Sequence, residues 1–596
     1  VSRLDAVPQQ PSAKVEKESA IRRSTDFAIA GAIALAAISA LLATSRDYAM
    51  VWDEGHTVRR DRLLAEWFAR VADPRQRSRM FSRSQLETSW PFSREEPDGH
   101  PPFYALLGVA GWATTHWALD PLTAYRFGPM MLFGMTAGVV YLHLTRRIGR
   151  LAGIAGSAAL VCMPRVFSHA HYAHYDGPMT CLWLLAQVAF LRSLQTKGWA
   201  VPFGFLLGLA AGTKFTGWFA AVPPALWVLS CEWLPAVVRR SKPPALPSNA
   251  SGPTWYGTWA VLIALPVAAL TLYLIHPPWW SDPISGVRRF LASNLTRSAT
   301  KPIPTLYLGQ VYGFSLPWHN TMVLTAVTTP VLTLALASYG TISSIKRRRE
   351  SPAGWLWVLS WATLMVVRAL PNAPGHDGIR LILPSVASLA VLAGIGAGRL
   401  RDALALTKLR WLPHIVVAVA VAEGAVGISQ TYPYTLSYYN FAVGGLPGAE
   451  RLGFELTYYY DTLGPEFLAW VRAVDQGGGA ELGFPGPLVT LPYLIEWGML
   501  PSGVRIIGQS LERAVMPYYV LQRRIGVYLP YDWWLERNGT ASFAVRRQGV
   551  DLLRVYPYRD GADAYLQTRD ETIPEPIRRA MDAAQSSGAG VSRSSR

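Results

Sequence analysis

Eight ionisable residues stand where an apolar run meets a polar loop: Arg126, Arg165, Asp176, Lys214, Arg368 and Arg380 at run ends, and Asp53-Glu54 just after the first run. Ionisable groups at such a boundary are expensive unless they are paired or functional. Singly, each is explained by a long side chain reaching back to the polar side. An Asp-Glu pair is equally at home in the first turn of a helix, where the macrodipole favours acids. As a set they share one chemistry. Arg and Lys donors hold a phosphate, and a carboxylate beside them takes a proton from a nucleophile. His100 opens a Pro101-Pro102 pair that stiffens a helix start, and is itself an interfacial or substrate-facing residue. His169-x-His171-x2-His174-x-Asp176 has the density of a zinc-type site. Its setting, a short turn among aromatic neighbours, favours structural or substrate-facing roles for His174 and Asp176 over a metal. Asn294-Leu295-Thr296 and Asn538-Gly539-Thr540 match the glycosylation triplet, which is common by chance.

The elements that must position these residues are set by composition. The chain has 596 residues, 51% hydrophobic and 16% charged, with a net charge of +17. Soluble domains carry about 25% charged residues, so an all-soluble or disordered chain is disfavoured. A nucleic-acid partner would need a basic patch on a soluble domain, whereas here the basic residues punctuate apolar runs. The 23 Trp and 26 Tyr suit a protein with many membrane–water interfaces. Cys162, Cys181 and Cys231 all fall in apolar segments, so no disulfide framework is implied. The class is a polytopic α-helical membrane protein.

Apolar runs bracketed by charge occur at 27–45, 127–145, 151–164, 177–191, 198–213, 215–231, 255–275, 320–342, 352–367, 381–398 and 411–430. Several fall short of the roughly 20 residues a span needs, which requires little tilt or local thinning of the bilayer. A further run, 103–119, is either a span or an interfacial helix. If it does not cross, and the N-terminus is cytoplasmic, five short cationic clusters share one side: 146–150, 192–197, 239–242, 346–349 and 399–410. That is the positive-inside bias, and it predicts eleven spans, with twelve or thirteen as the alternative. The tail 1–25 is then cytoplasmic and disordered, and 26–430 forms the membrane module. The loop 46–125 is external and contains an amphipathic helix at 57–70, with Leu63, Leu64, Trp67 and Phe68 on one face and Arg59, Arg60, Arg62, Glu66 and Arg70 largely opposite. The region 431–596 reads as an external mixed α/β domain, with strands at 488–491, 504–507, 518–521, 542–545 and 552–556 and a helix at 465–474. No internal repeat supports paired transporter halves.

Taken in order, several of these segments resemble one family. They are Asp53-Glu54, His100-Pro101-Pro102-Phe103, Ala124-Tyr125-Arg126-Phe127-Gly128-Pro129, Tyr172-Ala173-His174-Tyr175-Asp176-Gly177-Pro178, Gly212-Thr213-Lys214-Phe215-Thr216-Gly217 and Gly378-Ile379-Arg380-Leu381-Ile382-Leu383-Pro384. Over about residues 25–400 the chain resembles the GT-C glycosyltransferases, as a bacterial member of the group of protein O-mannosyltransferases and the aminoarabinose transferase acting on lipid A. The resemblance implies a cell-membrane enzyme that moves a sugar from a polyprenyl-phosphate donor to a hydroxyl acceptor on the external face. It gives the general-base role to Asp53, with Glu54 beside it, and the donor phosphate to Arg126; Lys214 and Arg380 are the further candidates. It implies no histidine-bound metal and no other cofactor. The residue opening the proline pair is His100, as in the protein mannosyltransferases, where the lipid A enzymes carry Lys; the acceptor stays open among protein, glycolipid and glycan hydroxyls. The other readings are a transporter or lipid flippase, for which Glu423 in the last span is the clearest sign, and a sensor domain on a membrane anchor.

Overall fold

The computed structural model describes residues 13–91, 100–234, 255–296, 303–475, 481–483, 488–507, 518–557 and 568. The expected cationic cluster at 239–242 and residues 1–12 of the N-terminal tail lie outside them; residues 13–25, expected to be disordered, instead begin the helix Ala13–Thr44. Among the described residues, five helical segments are long and apolar enough to cross a membrane: Arg23–Asp47, Pro121–Arg147, Tyr256–Leu274, Gly378–Leu404 and Leu412–Thr431. Arg150–Cys162 and Pro164–His171 make a sixth if counted as one span broken by 67°. Pro164 stands at the break: its ring disfavours a helical conformation for the residue before it, and Met163 is extended, with ψ 113°. The other expected spans are helical but short or interrupted. Asn320–Thr328 and Val331–Lys346 part at Pro330, and Ala200–Ala211 has 12 residues, about 18 Å of rise against a hydrocarbon core of about 30 Å. Phe103–Thr115 is likewise a single short helix, packed on Pro121–Arg147.

The window of highest hydropathy in Gly378–Leu404 is wholly buried, so this helix is the axis of the bundle. Tyr256–Leu274 and Leu412–Thr431 sit at the periphery and turn Leu262, Leu265, Leu270, Leu274, Ile415, Val419 and Val426 outward. A row of exposed aliphatic side chains is what a lipid-facing helix presents. Val331–Lys346 reaches the axis helix through two glycines. A Cβ at Gly340 would run into the Leu392 carbonyl oxygen, and one at Gly396 into that of Leu336. Close backbone approach of this kind is a principal source of helix association where no hydrophobic effect drives it. Gly396→Leu is expected to lower thermal stability in detergent by about 1–3 kcal/mol through overpacking. An unchanged melting temperature would show that the two helices have room to separate.

Two carboxylates within the bundle act as caps for other helices. Glu423 accepts the Val331 and Leu332 amides at 2.6 and 2.8 Å, at a helix start where Pro330 has no side-chain donor or acceptor. Glu232 does the same for Gly257 and Thr258 at 2.7 and 2.9 Å. Both satisfy orphan amides that water cannot reach in lipid. Glu423, the one sequence sign of a transport pathway, is therefore a structural cap.

The helix after the first long one runs over Trp52–Ala72, and it differs from the expected amphipathic pattern. Leu64 and Trp67 are buried, but so are Arg60 and Asp61, while Phe68 is exposed. Arg60 bonds the Tyr104 hydroxyl on the Phe103–Thr115 helix, so its charged face meets protein rather than water. Beyond Thr431 the chain does form a mixed α/β unit. Its five strands, β3 (Glu481–Gly483), β4 (Arg505–Ile507), β5 (Tyr518–Gln522), β6 (Phe543–Arg547) and β7 (Val550–Pro557), order as β4-β3-β5-β7-β6. The β3 pairings are parallel and the β7 pairings antiparallel. The expected strand at 488–491 is instead a 3-10 turn leading into the helix Leu491–Glu496, because Pro492 suits a first helical turn and cannot donate to a ladder. A hairpin unforeseen in the sequence, β1 (Thr305–Tyr307) and β2 (Gln310–Tyr312), turns at Leu308 and Gly309, both with positive φ. The apolar core is continuous across Thr431: Tyr439, Leu456, Tyr459, Val520 and Leu553 join the same cluster as the membrane helices.

Candidate active site

The chain leaves the first long helix at Thr44, passes a 3-10 turn at Ser45–Asp47 and an extended stretch, and enters the Trp52–Ala72 helix. Asp53 and Glu54 fall in its first turn, about 100° apart around the axis. That rotation sends the two acids to different partners.

Glu54 faces inward. Its Oε1 accepts Arg126 Nε at 2.7 Å and the Ala173 amide at 2.8 Å; its Oε2 accepts Arg126 Nη2 at 2.7 Å and the Val51 amide at 3.1 Å. Arg126 spends its remaining N–H groups on the carbonyls of Ser45, Tyr48 and Ala49 at 2.7, 3.0 and 2.7 Å. Both side chains are 0% exposed. All five guanidinium N–H groups are thereby used, so Arg126 has none left for a phosphate, and Glu54 has no oxygen facing a substrate. The pair ties the first turn of the Trp52–Ala72 helix to the Pro121–Arg147 helix and to the Tyr172–Tyr175 turn.

Asp53 faces a second cluster. Its Oδ2 accepts the Tyr175 hydroxyl at 2.9 Å and Arg380 Nη2. Arg380 continues through Nε to Asp176 at 2.8 Å and through Nη1 to Asp377 at 3.1 Å. Its guanidinium lies over the rings of Tyr459 and Tyr175, 4.4 and 5.2 Å from their centroids. Asp176 also takes Lys214 Nζ, and the Tyr459 hydroxyl at 3.1 Å. Asp377 meets Arg524 of the C-terminal unit at 3.0 Å. Arg524 and Arg380 hold the Asp377 carboxyl down at about 2 against the penalty of burial. His100 packs on Tyr175 with ring centroids 3.7 Å apart. His174 accepts the Asp176 amide at Nδ1 (3.0 Å) and stacks between Tyr172 and Tyr459. Burial holds it neutral, below its ordinary pKa.

Of the residues expected from sequence, Asp53, His100, His174, Asp176, Lys214 and Arg380 thus converge on one site, and Glu54 with Arg126 forms a sealed pair behind it. Tyr175, Asp377, Tyr459 and Arg524 belong to the same site. Tyr175 lies inside a motif read for its His and Asp. Asp377, at φ 60°, and Arg524, more than 140 residues further on, carry no sequence signal of a shared site.

His169, His174 and Asp176 bring three ligand-type atoms within 4.8 Å of one another. The set fits a metal poorly. Both Asp176 oxygens already neutralise Lys214 and Arg380, so a dication there would confront two cations. His174, accepting at Nδ1, carries its proton at Nε2 and has no lone pair there to offer.

Lys214 donates to Asp176 and keeps two further N–H groups. Burial pushes its pKa down to about 8, with Asp176 opposing, so the ammonium is lost as pH rises through that value. If it binds an anionic donor, kcat/KM for that donor, which reports the free enzyme, is expected to fall above about pH 8. Lys214→Arg is expected to move the fall upward, and an identical profile in the variant would sink the assignment.

Fold and site together define a membrane protein with a charged, aromatic-lined site at one end of its helical bundle. Residues 100–245 match the family described as dolichyl-phosphate-mannose-protein mannosyltransferase, a segment that takes in His100, Arg126, Asp176 and Lys214. Over that segment the chain resembles a family of glycosyltransferases, the protein mannosyltransferases. Among solved structures the chain is similar to ArnT from Cupriavidus metallidurans bound to undecaprenyl phosphate, at 15% identity, with 89% of this chain and 97% of that one covered and a TM-score of 0.48. It is also similar to the oligosaccharyltransferase AglB from Archaeoglobus fulgidus in complex with an inhibitory peptide and a dolichol-phosphate, at 13% identity, 94% and 78% coverage and a TM-score of 0.43. No curated protein matches the chain.

Proposed function

We propose that the protein transfers one sugar from a polyprenyl-phosphate donor to a hydroxyl acceptor, at the external face of a bacterial inner membrane, with Asp53 as general base. One observation carries the reading. Within a cluster whose other carboxylates are sealed (Glu54 and Asp176 0% exposed, Asp377 5%), Asp53 is 17% exposed and reachable. A hydroxyl is a poor nucleophile, so a placed carboxylate takes its proton as the oxygen attacks the anomeric carbon. The new C–O bond forms as the bond from that carbon to the phosphate oxygen breaks. The electron pair leaves with the lipid phosphate, and a single displacement inverts the centre. Lys214 and Arg380 are the groups placed to steady the departing charge in a poorly hydrated pocket. Arg380 does so by exchanging its contact with Asp53, which frees the base as the donor arrives. Asp176 holds both cations, His100 and Tyr175 shape the approach to Asp53, and no metal takes part. Purified protein given a radiolabelled polyprenyl-phosphate sugar and hydroxyl acceptors is expected to move label from lipid to acceptor. Movement of intact donor across a vesicle membrane without loss of its sugar would replace this reading with a transporter.

A further inference from the structure

At the opposite end of the bundle lies a second charged site. The Pro121–Arg147 helix carries the chain from Arg126 to Arg147, and the axis helix from Arg380 to Arg399. Each path is about 30 Å long, close to the thickness of a hydrocarbon core. Between these ends, the C-terminus of Val331–Lys346 and the N-terminus of Pro352–Ala369, there is a cavity of about 140 Å³. One water needs about 10–15 Å³ of such space, so several oxygen atoms fit.

Its lining is one-sided in charge. Arg147, Arg347 and Arg399 border it together with Ser343, Ser344 and Ser351, and among the described residues no carboxylate does. Arg399 meets Asp402 only at 4.0 Å, and Arg147 donates one N–H to the Leu191 carbonyl at 3.1 Å. The Ser344 hydroxyl is buried and has no hydrogen-bond partner among the described residues. It faces the first turn of the 18-residue helix Pro352–Ala369, where a Cβ on Gly354 would stand 2.6 Å from it. A Trp357–His143 hydrogen bond of 3.3 Å lies on the bundle side. An orientation rule accounts for arginines on this end of the protein. It does not account for three of them around one polar cavity, beside a helix N-terminus whose amides favour anions, with a buried hydroxyl left unpaired.

We infer that this cavity is a phosphate-binding site, separate from the Asp53 site and taking either a phospholipid headgroup or a free phosphate. Forked guanidinium donors match phosphate oxygens in geometry as well as charge, and the Ser344 hydroxyl supplies a further donor.

The test uses the full chain in detergent and follows its melting temperature with phosphatidylglycerol, with inorganic phosphate, and with diacylglycerol as a lipid lacking the headgroup. A ligand held only by the folded state raises that temperature, the more so the tighter it binds and the higher its concentration. Phosphatidylglycerol alone raising it identifies a lipid headgroup; inorganic phosphate raising it as well identifies a free phosphate site. In either case Arg347→Ala with Arg399→Ala is expected to raise the ligand concentration needed for a given shift about tenfold or more, the effect of losing a charged hydrogen bond. Lys408→Ala with Arg410→Ala, which removes the same charge from the same end outside the cavity, is expected to leave that concentration unchanged. Ser344→Leu, filling the cavity without altering charge, is expected to abolish the shift. A wild-type protein that responds to neither phosphate probe, or responds equally to diacylglycerol, overturns the inference. So does an Arg347/Arg399 variant that responds as the wild type does.

Discussion

Asp53→Asn is expected to insert and fold as the wild type does and to lose transfer by about 10³-fold, within the 10²–10⁴ range for removing a general base. The folding half follows from the surroundings. Asn keeps the shape and can still accept from Tyr175 at its carbonyl oxygen, and the site is partly open to solvent. Arg380, losing one anion, keeps Asp176 and Asp377. The catalytic half follows from the proton: an amide does not take one from a hydroxyl at neutral pH. The loss should appear in kcat with little change in donor KM, the pattern for an interaction made in the transition state. Turnover within a few-fold of wild type would remove Asp53 as base. A rise in donor KM alone would make it a donor ligand.

Arg126→Ala has the other large effect, and of a different kind. A phosphate ligand, the role the resemblance implied, would give a folded variant with a raised donor KM. The geometry predicts loss of folded protein. Removing one partner of a buried ion pair costs about 3–5 kcal/mol, and here three backbone carbonyls and Glu54 lose their donors together. That is a large share of the 5–15 kcal/mol of a typical domain. The expected measurement is a low yield of monodisperse protein in detergent, shared by Glu54→Gln to a lesser degree. The double variant should cost less than the sum of the two, since they act on one interaction. Full stability with a raised donor KM would restore Arg126 to the donor site.

The two acids show how far the sequence reached. Asp53-Glu54 was legible as a pair of interest, but adjacent residues on a helix differ by about 100°, and that rotation separated an accessible carboxylate from a buried one. Arg126 and Arg380 were equal candidates by residue type and by position at a span end. What distinguishes them is the set of acceptors each finds: carbonyls and Glu54 for one, three aspartates and two aromatic faces for the other. Arg524 was out of reach for another reason. It comes from a unit that looked separable in sequence, and only the packing of that unit on the membrane helices brings it to Asp377.

By itself the sequence determined the class. Apolar runs bracketed by charge must become helices with satisfied backbones in a bilayer, and the alternating runs near the C-terminus must pair as strands, as four of the five expected did. It also determined which residue types gather at the span ends. Tertiary structure alone decided which of those charges neutralise one another and which remain available to a substrate. That balance is Coulombic: it depends on distances of 3 Å across segments hundreds of residues apart, and no local pattern in the chain encodes it.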